Sequence, residues 1–331
     1  MSLLAKIVER FSGKRIVVIG DTIADQFIYG EISRVSREAP VFILRHEHTE
    51  TTPGGAGNCA ANLAALGAQV ELISVLGSDE AGKILYSKLR EAGVNCEGVS
   101  VTSERRTTTK VRVLAGQIHS TRQQVIRIDY DNEPDFSAEL QEVLRADITR
   151  GLPGADAVII SDYNYGVADP KIAELVRNAL GPAVPVLVDS RFRLSGFSDF
   201  TSATPNEDEV ELLLGVKHND QAALESAAEQ LRQRLGYKAL LVTRGGNGMT
   251  LLDAETAPLH IDAVGSRQPL DVTGAGDTVI ATYALALATG ASFADAARLA
   301  NFAGGLVVMK RGTATVSTGE LVSLIAQVDS E

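Results

Sequence analysis

The feature that most constrains this chain of 331 residues is the segment 271–277, which reads DVTGAGD and runs directly into the apolar segment 278–288. Gly274 and Gly276 carry no Cβ, so the backbone can turn tightly there and approach a ligand. The Ala-, Leu- and Val-rich residues that follow are typical of a buried helix, whose N-terminus attracts anions through its free N–H groups and dipole. Asp277 would lie in the first turn, where it could accept a proton from a hydroxyl that attacks phosphorus.

A second glycine motif lies far upstream, at residues 53–67, with the letters PGGAGNCAANLAALG. Gly54, Gly55 and Gly57 would open an Ala-rich helix that packs closely on a sheet, and the amide of Asn58 would face substrate hydroxyls. Taken alone, each motif is equally compatible with helix capping or close packing. Their occurrence in one chain favours a phosphate-binding site.

Composition excludes several classes of function. The formal net charge is −11, which argues against a general nucleic-acid or membrane-surface role, and the absence of Trp argues against base stacking. Cys59 and Cys96 give neither a disulfide framework nor metal-ligand spacing, and we expect buried thiols. Residues 1–15 lack the apolar core of a signal peptide, and no stretch approaches the ~20 apolar residues of a membrane span. We therefore expect a cytoplasmic protein.

Buried strands alternate with helices over most of the chain, which predicts a doubly wound, mostly parallel sheet with helices on both faces. The predicted strands cover residues 14–20, 70–77, 155–162, 184–189 and 237–243. Asp21, Asp162 and Asp189 come at the carboxyl ends of three of them, where ligands gather in such sheets, so all three are substrate-binding candidates. Asp25 is a weaker candidate, and its sequence context slightly favours a solvated turn.

Two irregular segments, 26–50 and 105–130, contain short strand-like runs with a period of two, which predicts exposed β-structure. We expect them to pair with each other as a small β lid on a single domain spanning residues 1–331. Residues 105–127 contain no Asp or Glu but six basic residues, which suit phosphate contacts: Arg105, Arg106, Lys110, Arg112, Arg122 and Arg127. The alternative is a solvated strand face with basic side chains.

The two glycine motifs together resemble the signatures of the ribokinase-like (phosphofructokinase B) carbohydrate kinases. Residues 206–209 (NEDE) match the Asn-x-x-Glu element of that family, and residues 243–246 (TRGG) resemble the strand end at its nucleotide site. The resemblance spans nearly the whole chain. It implies the ribokinase-like fold with a β lid, ATP and Mg²⁺ as cofactors, and a homodimer formed through the lid.

The resemblance also implies roles for individual residues. Asp277 would be the catalytic base, and the N–H groups of Gly274, Ala275 and Gly276 would hold the transferring phosphoryl group. The remaining assignments follow by role: Asp21, Gly54, Gly55 and Asn58 for sugar hydroxyls; Lys110, Arg112 and Arg127 for a phosphate on the sugar; Thr243, Arg244, Gly245, Gly248, Gly274 and Gly276, with Asn206 and Glu209, for the nucleotide; Asn206 and Glu209 for Mg²⁺ through water; and Asp271 and Thr273 for a monovalent cation such as K⁺.

Within that family, residues 18–25, 33–41, 109–114, 126–129 and 273–279 resemble the heptose-phosphate kinases. This likeness implies phosphorylation of D-glycero-β-D-manno-heptose 7-phosphate at the anomeric hydroxyl, a step towards lipopolysaccharide core. Some such kinases carry a fused nucleotidyltransferase domain, and this sequence resembles the stand-alone kinase. Two positions depart from the pattern: Asn164 stands where Lys is expected, and Ser190-Arg191 where Pro-Lys is expected. The departures weaken the assignment of these positions to substrate phosphate.

Two alternatives remain at this stage. One is another kinase of the same fold, acting on a fructose phosphate or on ribose, although the basic segment argues against an unphosphorylated substrate. The other is a non-catalytic regulator that binds a sugar or nucleotide, which the retained Asp277, Asn206 and Glu209 make a weaker hypothesis. A nicotinamide enzyme is disfavoured because Gly20 is not followed by a second glycine at dinucleotide spacing.

Overall fold

The computed structural model describes residues 2–116, 122–217, 220–265 and 268–329. Within these ranges the chain forms ten α-helices and thirteen β-strands, arranged as a nine-stranded sheet, a four-stranded sheet and covering helices. Residues 117–121 of the predicted lid segment lie outside the described residues.

The nine-stranded sheet is the doubly wound sheet that the sequence predicts. Its strands, in spatial order, are β13 (Leu259–Ile261), β12 (Met249–Asp253), β11 (Ala239–Thr243), β10 (Ser202–Ala203), β9 (Val186–Ser190), β8 (Ala157–Asp162), β1 (Arg15–Gly20), β4 (Gln69–Gly77) and β5 (Asn95–Thr102). Among these described strands, β12 alone runs opposite in direction to the others. Strands β5, β10 and β13 were not predicted as parts of this sheet. β10 and β13 have only two and three residues, which carry no readable periodicity.

Helices cover both faces of this sheet. One face carries α1 (Leu3–Glu9), α2 (Ala56–Ala65), α3 (Glu80–Glu91), α8 (Ala275–Ala288), α9 (Phe293–Val307) and α10 (Thr318–Val328). The other carries α4 (Ala138–Gly151), α5 (Ile172–Ala179), α6 (Glu207–Leu214) and α7 (Gln221–Leu235). Along β1, Ile16 and Val18 pack into the first core while Val17 and Ile19 pack into the second. Continuous apolar strands are therefore required, as in other sheets buried on both faces.

The two predicted irregular segments pair with each other in the four-stranded sheet. Its order is β3 (Phe42–Gly55), β2 (Thr22–Val35), β6 (Thr109–Gly116) and β7 (Gln123–Tyr130), with β2 and β6 parallel and the other pairs antiparallel. Strands β2 and β3 are longer than predicted, with 14 residues each. Gly54 and Gly55, predicted to open a helix, instead end β3, and α2 begins at Ala56.

Both cysteines are buried free thiols, as expected from the sequence. Of the helices that the structure describes, none combines the length and apolar character needed to cross a lipid bilayer.

Candidate active site

The two glycine motifs meet where α2 packs against the N-terminus of α8. Gly274 is the N-cap of α8 and has φ +75°, a left-handed conformation that favours glycine. A Cβ added there would lie 2.4 Å from Nδ2 of Asn58, so the absent side chain also lets α2 approach. Asn58 Nδ2 donates hydrogen bonds to the carbonyl of Gly274 (3.2 Å) and to Oδ2 of Asp277 (2.9 Å). The structure thus brings Asn58 and Asp277 together.

Asp277 lies in the first turn of α8 and is 3% exposed. Its Oδ1 accepts a 2.8 Å hydrogen bond from the phenol of Tyr163, in addition to the contact from Asn58. Burial raises the pKa of Asp277 to about 7, while the two donors and nearby Lys110 oppose that rise and Asp25 adds to it. A carboxyl group with a pKa near neutrality is suited to take and release a proton under physiological conditions.

Asp21 holds the segment that carries Tyr163. Its carboxylate accepts hydrogen bonds from the backbone N–H groups of Tyr163 (2.9 Å), Tyr165 (3.0 Å) and Val167 (2.9 Å). Burial raises the pKa of Asp21 to about 6, and these amides oppose the rise. The carboxylate that the sequence assigned to sugar hydroxyls therefore anchors the β8–α5 loop, and its contact with a sugar stays a prediction.

Asp162 does not face an open site. Its side chain is fully enclosed and forms an ion pair with Arg193 (2.5 Å), while Ser190 donates to it at 2.7 Å and the backbone N–H of Asn164 at 3.0 Å. This carboxylate ties the end of β8 to the turn after β9. These partners give Asp162 a structural role, and its contact with a substrate stays a prediction.

Asp189 lies beside a row of polar side chains at the ends of three adjacent strands. Ser161 on β8 is its register partner, and Thr204 directly follows β10 on the other side. Among the described residues, Ser161 Oγ and Thr204 Oγ1 are buried without a hydrogen-bond partner. Burial raises the pKa of Asp189 well above its usual value, and the negative charges of Glu209 and Asp277 raise it further.

Asp25 is buried on β2, and the interpretation as a solvated turn residue is wrong. It is 5% exposed and forms an ion pair with Arg112 of β6. A Cβ on Gly54 would lie 2.2 Å from Asp25 Oδ2, so the glycine at the end of β3 makes room for this carboxylate. The sequence missed it because the pairing of β2 with β6 joins residues far apart in the chain.

Lys110 is a buried cation beside the rings of Tyr163 and Tyr165. It is 7% exposed, and its Nζ lies 5.3 Å from the centre of the Tyr163 ring and 5.8 Å from that of Tyr165. Burial lowers its pKa, as expected for an ammonium group removed from water. The ring faces attract the cation, so Lys110 is held near Asp277 without a carboxylate bonded to it among the described contacts.

The other basic residues of the segment separate into different environments. Arg127 lies opposite Arg112 in the β6–β7 pairing and is bound to Asp129 at 2.6 Å. Arg105 donates to the carbonyl oxygens of Tyr165 (2.8 Å) and Glu133, and Arg122 pairs with Glu47. Arg105 and Arg122 thus support the loop and the second sheet.

A largely apolar cavity of about 310 Å³ lies on the other side of the α8 N-terminus. Four predicted nucleotide-site residues line it, namely Thr243, Gly245, Gly248 and Gly276, together with Ala275. The sequence missed the rest of the lining, which comes from β12, α8, α9 and the segment before α8: Met249, Val264, Pro269, Val279, Asn301 and Gly305 among others. A flat apolar ring suits this cavity. Arg244 donates to Glu207 at 2.7 Å and does not line it.

Asn206 and Glu209 form a capping box at the start of α6. The side chain of Asn206 accepts from the N–H of Glu209 (2.8 Å), and Glu209 Oε2 accepts from the N–H of Asn206 (2.9 Å). Burial raises the pKa of Glu209. Within the described ranges, no three His, Cys, Asp or Glu side chains group closely enough to hold a metal ion.

Asp271 and Thr273, the predicted cation pair, are joined to each other. Oδ1 of Asp271 accepts the backbone N–H of Thr273 (2.9 Å), and Oδ2 accepts that of Gly312 (2.9 Å). Asp271 therefore fixes the segment before α8 to the chain after α9. The monovalent cation stays a prediction.

Comparison with known proteins identifies the family of this chain. The pattern of the pfkB family of carbohydrate kinases matches residues 14–319. The D-beta-D-heptose 7-phosphate kinase of Bordetella bronchiseptica is 41% identical over 314 residues, which are 95% of this chain and 96% of that protein. The bifunctional protein HldE of Desulfatibacillum aliphaticivorans is also 41% identical, over 95% of this chain, and the matched part spans 63% of that protein's length.

Solved structures agree on the fold. Phosphofructokinase-2 from Escherichia coli, in complex with substrates and products, superimposes with a TM-score of 0.78 at 20% identity, covering 96% of this chain and 99% of that one. Ribokinase from Arabidopsis thaliana, complexed with ribose and ATP, gives 0.71 at 23% identity, covering 95% and 99%. With the family pattern over nearly the whole sequence, these findings establish that the chain belongs to the pfkB family of carbohydrate kinases.

Proposed function

We propose that this chain is an ATP-dependent kinase that phosphorylates D-glycero-β-D-manno-heptose 7-phosphate at its anomeric hydroxyl, giving heptose 1,7-bisphosphate. The observation that carries the proposal is the buried Asp277 in the first turn of α8, held by Asn58 and Tyr163 with Lys110 nearby. The similarity to the Bordetella heptose 7-phosphate kinase over nearly its full length supports this choice of sugar.

In this mechanism Asp277 takes the proton of the sugar hydroxyl as its oxygen attacks the γ-phosphorus of ATP. The apolar cavity beside Gly276 receives the adenine ring, which directs the phosphates towards the start of α8. There the N–H groups of the first turn and the positive end of the helix dipole stabilise charge on the transferring group. Ala275 N–H also donates to Val272 at 3.2 Å, so the N–H groups of Gly276 and Asp277 are the better placed donors.

The residues present fit a Mg²⁺ ion bound mainly through water and phosphate oxygens. Asp189 and Glu209 are half-buried acids. Desolvation raises the pKa of both, the charge of Glu209 raises that of Asp189 further, and such neighbouring carboxylates favour a divalent cation. Asn206 and Glu209 each commit one oxygen to the capping box, which suits contact through water, as Mg²⁺ keeps several of its waters. When bound, the ion would neutralise charge on the phosphate oxygens. A K⁺ ion near Asp271 and Thr273 remains part of the proposal on family resemblance alone.

The phosphate already on the sugar would bind the basic side chains of the second sheet. Lys110 and Arg112 lie on β6 beside Asp25, and Arg127 lies opposite Arg112 on β7. Lys110 is the strongest candidate, because its described contacts are with aromatic rings and not with a carboxylate. Asp21, Gly54, Gly55 and Asn58 would surround the sugar hydroxyls.

Phosphorus NMR after incubation with heptose 7-phosphate and Mg-ATP tests this function. We expect a new anomeric phosphate resonance and stoichiometric ADP, with neither from the Asp277→Asn variant. ADP release with fructose 6-phosphate or ribose, and none with the heptose phosphate, would assign a different sugar. Ligand binding without ADP release from any sugar would indicate a non-catalytic regulator.

We further propose one kinase domain over residues 1–331, with the second sheet as a lid that forms a homodimer in the cytoplasm, where ATP is available. All eight residues of β7 are exposed, including the apolar side chains of Val125, Ile126 and Ile128. An edge strand of this kind favours pairing with another chain. Light scattering on the purified protein should give twice the 35.0 kDa chain mass, and a monomer at micromolar concentration would contradict the dimer.

A further inference from the structure

We propose that Tyr163 is a positioning residue for the catalytic base: its phenol O–H holds the carboxylate of Asp277 in place and favours its ionised form. This inference rests on the proposed function, because it assigns Asp277 the role of base. The phenol oxygen lies 2.8 Å from Oδ1 of Asp277. The sequence drew attention to Asn164 and Arg191, which depart from the family pattern, but it gave no reason to select Tyr163.

The direction of each hydrogen bond at Asp277 is fixed by its surroundings. Asn62 Nδ2 donates to Oδ1 of Asn58 at 3.1 Å, and Oδ1 of Asn62 accepts the N–H of Val316 at 3.2 Å. The amide of Asn58 must therefore present its NH₂ group to Oδ2 of Asp277. The other oxygen of Asp277, Oδ1, therefore accepts its hydrogen bond from the phenol O–H of Tyr163.

Tyr163 is itself held firmly in place. Its backbone N–H is bound to the buried carboxylate of Asp21, which also binds the N–H groups two and four residues further on. A Cβ on Gly55, which has φ +57°, would lie 3.2 Å from the Tyr163 ring, so the ring packs against a backbone without a side chain. Lys110 lies over the ring at 5.3 Å. The phenol therefore reaches Asp277 from a fixed position.

The consequence for the base follows from the burial of Asp277. Removal from water favours the neutral acid, which cannot accept the proton of a sugar hydroxyl. A hydrogen bond donated to the charged form opposes this effect, and bonds to ionised groups are about twice as strong as neutral ones. The proton stays on the phenol throughout, and Asp277 alone takes the hydroxyl proton. Without the phenol, the base would be protonated over a wider range of pH.

The matched pair of variants is Tyr163→Phe and Tyr165→Phe. The backbone N–H groups of both tyrosines donate to Asp21, and both rings lie near Lys110. The phenol of Tyr165, however, donates to Asp131 at 2.5 Å and not to Asp277. For Tyr163→Phe we expect the acidic limb of the kcat/KM profile to move up by about one pH unit. Activity at pH 6.5 should then fall roughly eightfold and recover to within about twofold of the wild type at pH 9. Tyr165→Phe should keep the wild-type profile.

A loss of activity that is equal at every pH would overturn the inference, because it would indicate a structural role for the ring. A shift of the same size in Tyr165→Phe would overturn it too. Carbon NMR of carboxyl-labelled aspartate, assigned with Asp277→Asn, gives the pKa of Asp277 without substrate. If the wild type phosphorylates no sugar, the proposed function fails, and this titration still decides whether Tyr163 controls the carboxyl group. An unchanged pKa in Tyr163→Phe would refute that control.

Discussion

Replacement of Gly276 by alanine tests whether this glycine is required for stability or for phosphate binding. Gly276 is the second residue of α8, and a Cβ built on it meets no atom within 4 Å. The protein itself thus leaves room for a methyl group. Gly319 is the second residue of α10, also exposed, also free of neighbours at the Cβ position, and also followed by an acidic residue. The two positions form a matched pair on two helices of one chain.

For stability, both substitutions should be neutral or favourable. Gly→Ala at a position with unstrained helical dihedrals stabilises a protein by about 0.4–1 kcal/mol, chiefly by restricting the unfolded chain. In a chain of this size that corresponds to a rise in Tm of roughly 1–2 °C. For activity the two should differ, because a methyl group on Gly276 would occupy the space of the transferring phosphate. Loss of one such contact costs about 10²–10³-fold in kcat.

The assay is coupled ADP release with heptose 7-phosphate, beside thermal unfolding of the same samples. We expect Gly276→Ala to unfold at or above the wild-type Tm and to lose at least ~10²-fold in kcat, while Gly319→Ala keeps its activity. Retention of activity within threefold by Gly276→Ala would refute phosphate binding at this helix start. A lowered Tm in both variants would refute the inference that the protein has room for a methyl group at these two positions.

Three further outcomes follow from the site. Asp277→Asn should lose at least ~10²-fold in turnover. Its free energy of unfolding at pH 8 should nevertheless rise by up to about 4 kcal/mol, because burial raises the pKa of Asp277 to about 7 and each pKa unit is worth about 1.36 kcal/mol. Chemical denaturation at pH 8 and below pH 4 checks the sign, since the gain should vanish at the lower pH. In the wild type, kcat/KM should fall tenfold per pH unit below about 7, as Asp277 becomes protonated, and a flat profile between pH 5 and 8 would contradict its role as base. Lys110→Met should raise KM for the sugar phosphate by roughly 10- to 100-fold and KM for ATP by less than threefold, whereas Arg106→Met, an exposed basic residue of the same segment, should change neither constant.

The sequence predicted the sheet well because buried parallel strands carry an unmistakable apolar run, as in Ile16 to Ile19. It also selected Asn58 and Asp277, since both follow glycines at predicted helix starts, and the structure joins them by a hydrogen bond. It could not predict the position of Asp25, whose burial depends on Arg112 in a strand 87 residues away. Tyr163 was equally invisible, because a tyrosine after a strand has no periodic signal. Its place depends on three backbone N–H groups that converge on Asp21.

The two long strands of the second sheet, β2 and β3, are continuous in the backbone with Asp21 and with α2. β2 starts one residue after Asp21, and β3 ends at Gly55, directly before the helix that carries Asn58. The inner part of β2 is buried while its outer end is exposed. Strands β2 and β3 thus run from the exposed outer end of the second sheet to Asp21 and to α2, next to the residues proposed to surround the sugar. A contact at the exposed outer end is therefore joined to Asp21 and to α2 by continuous backbone.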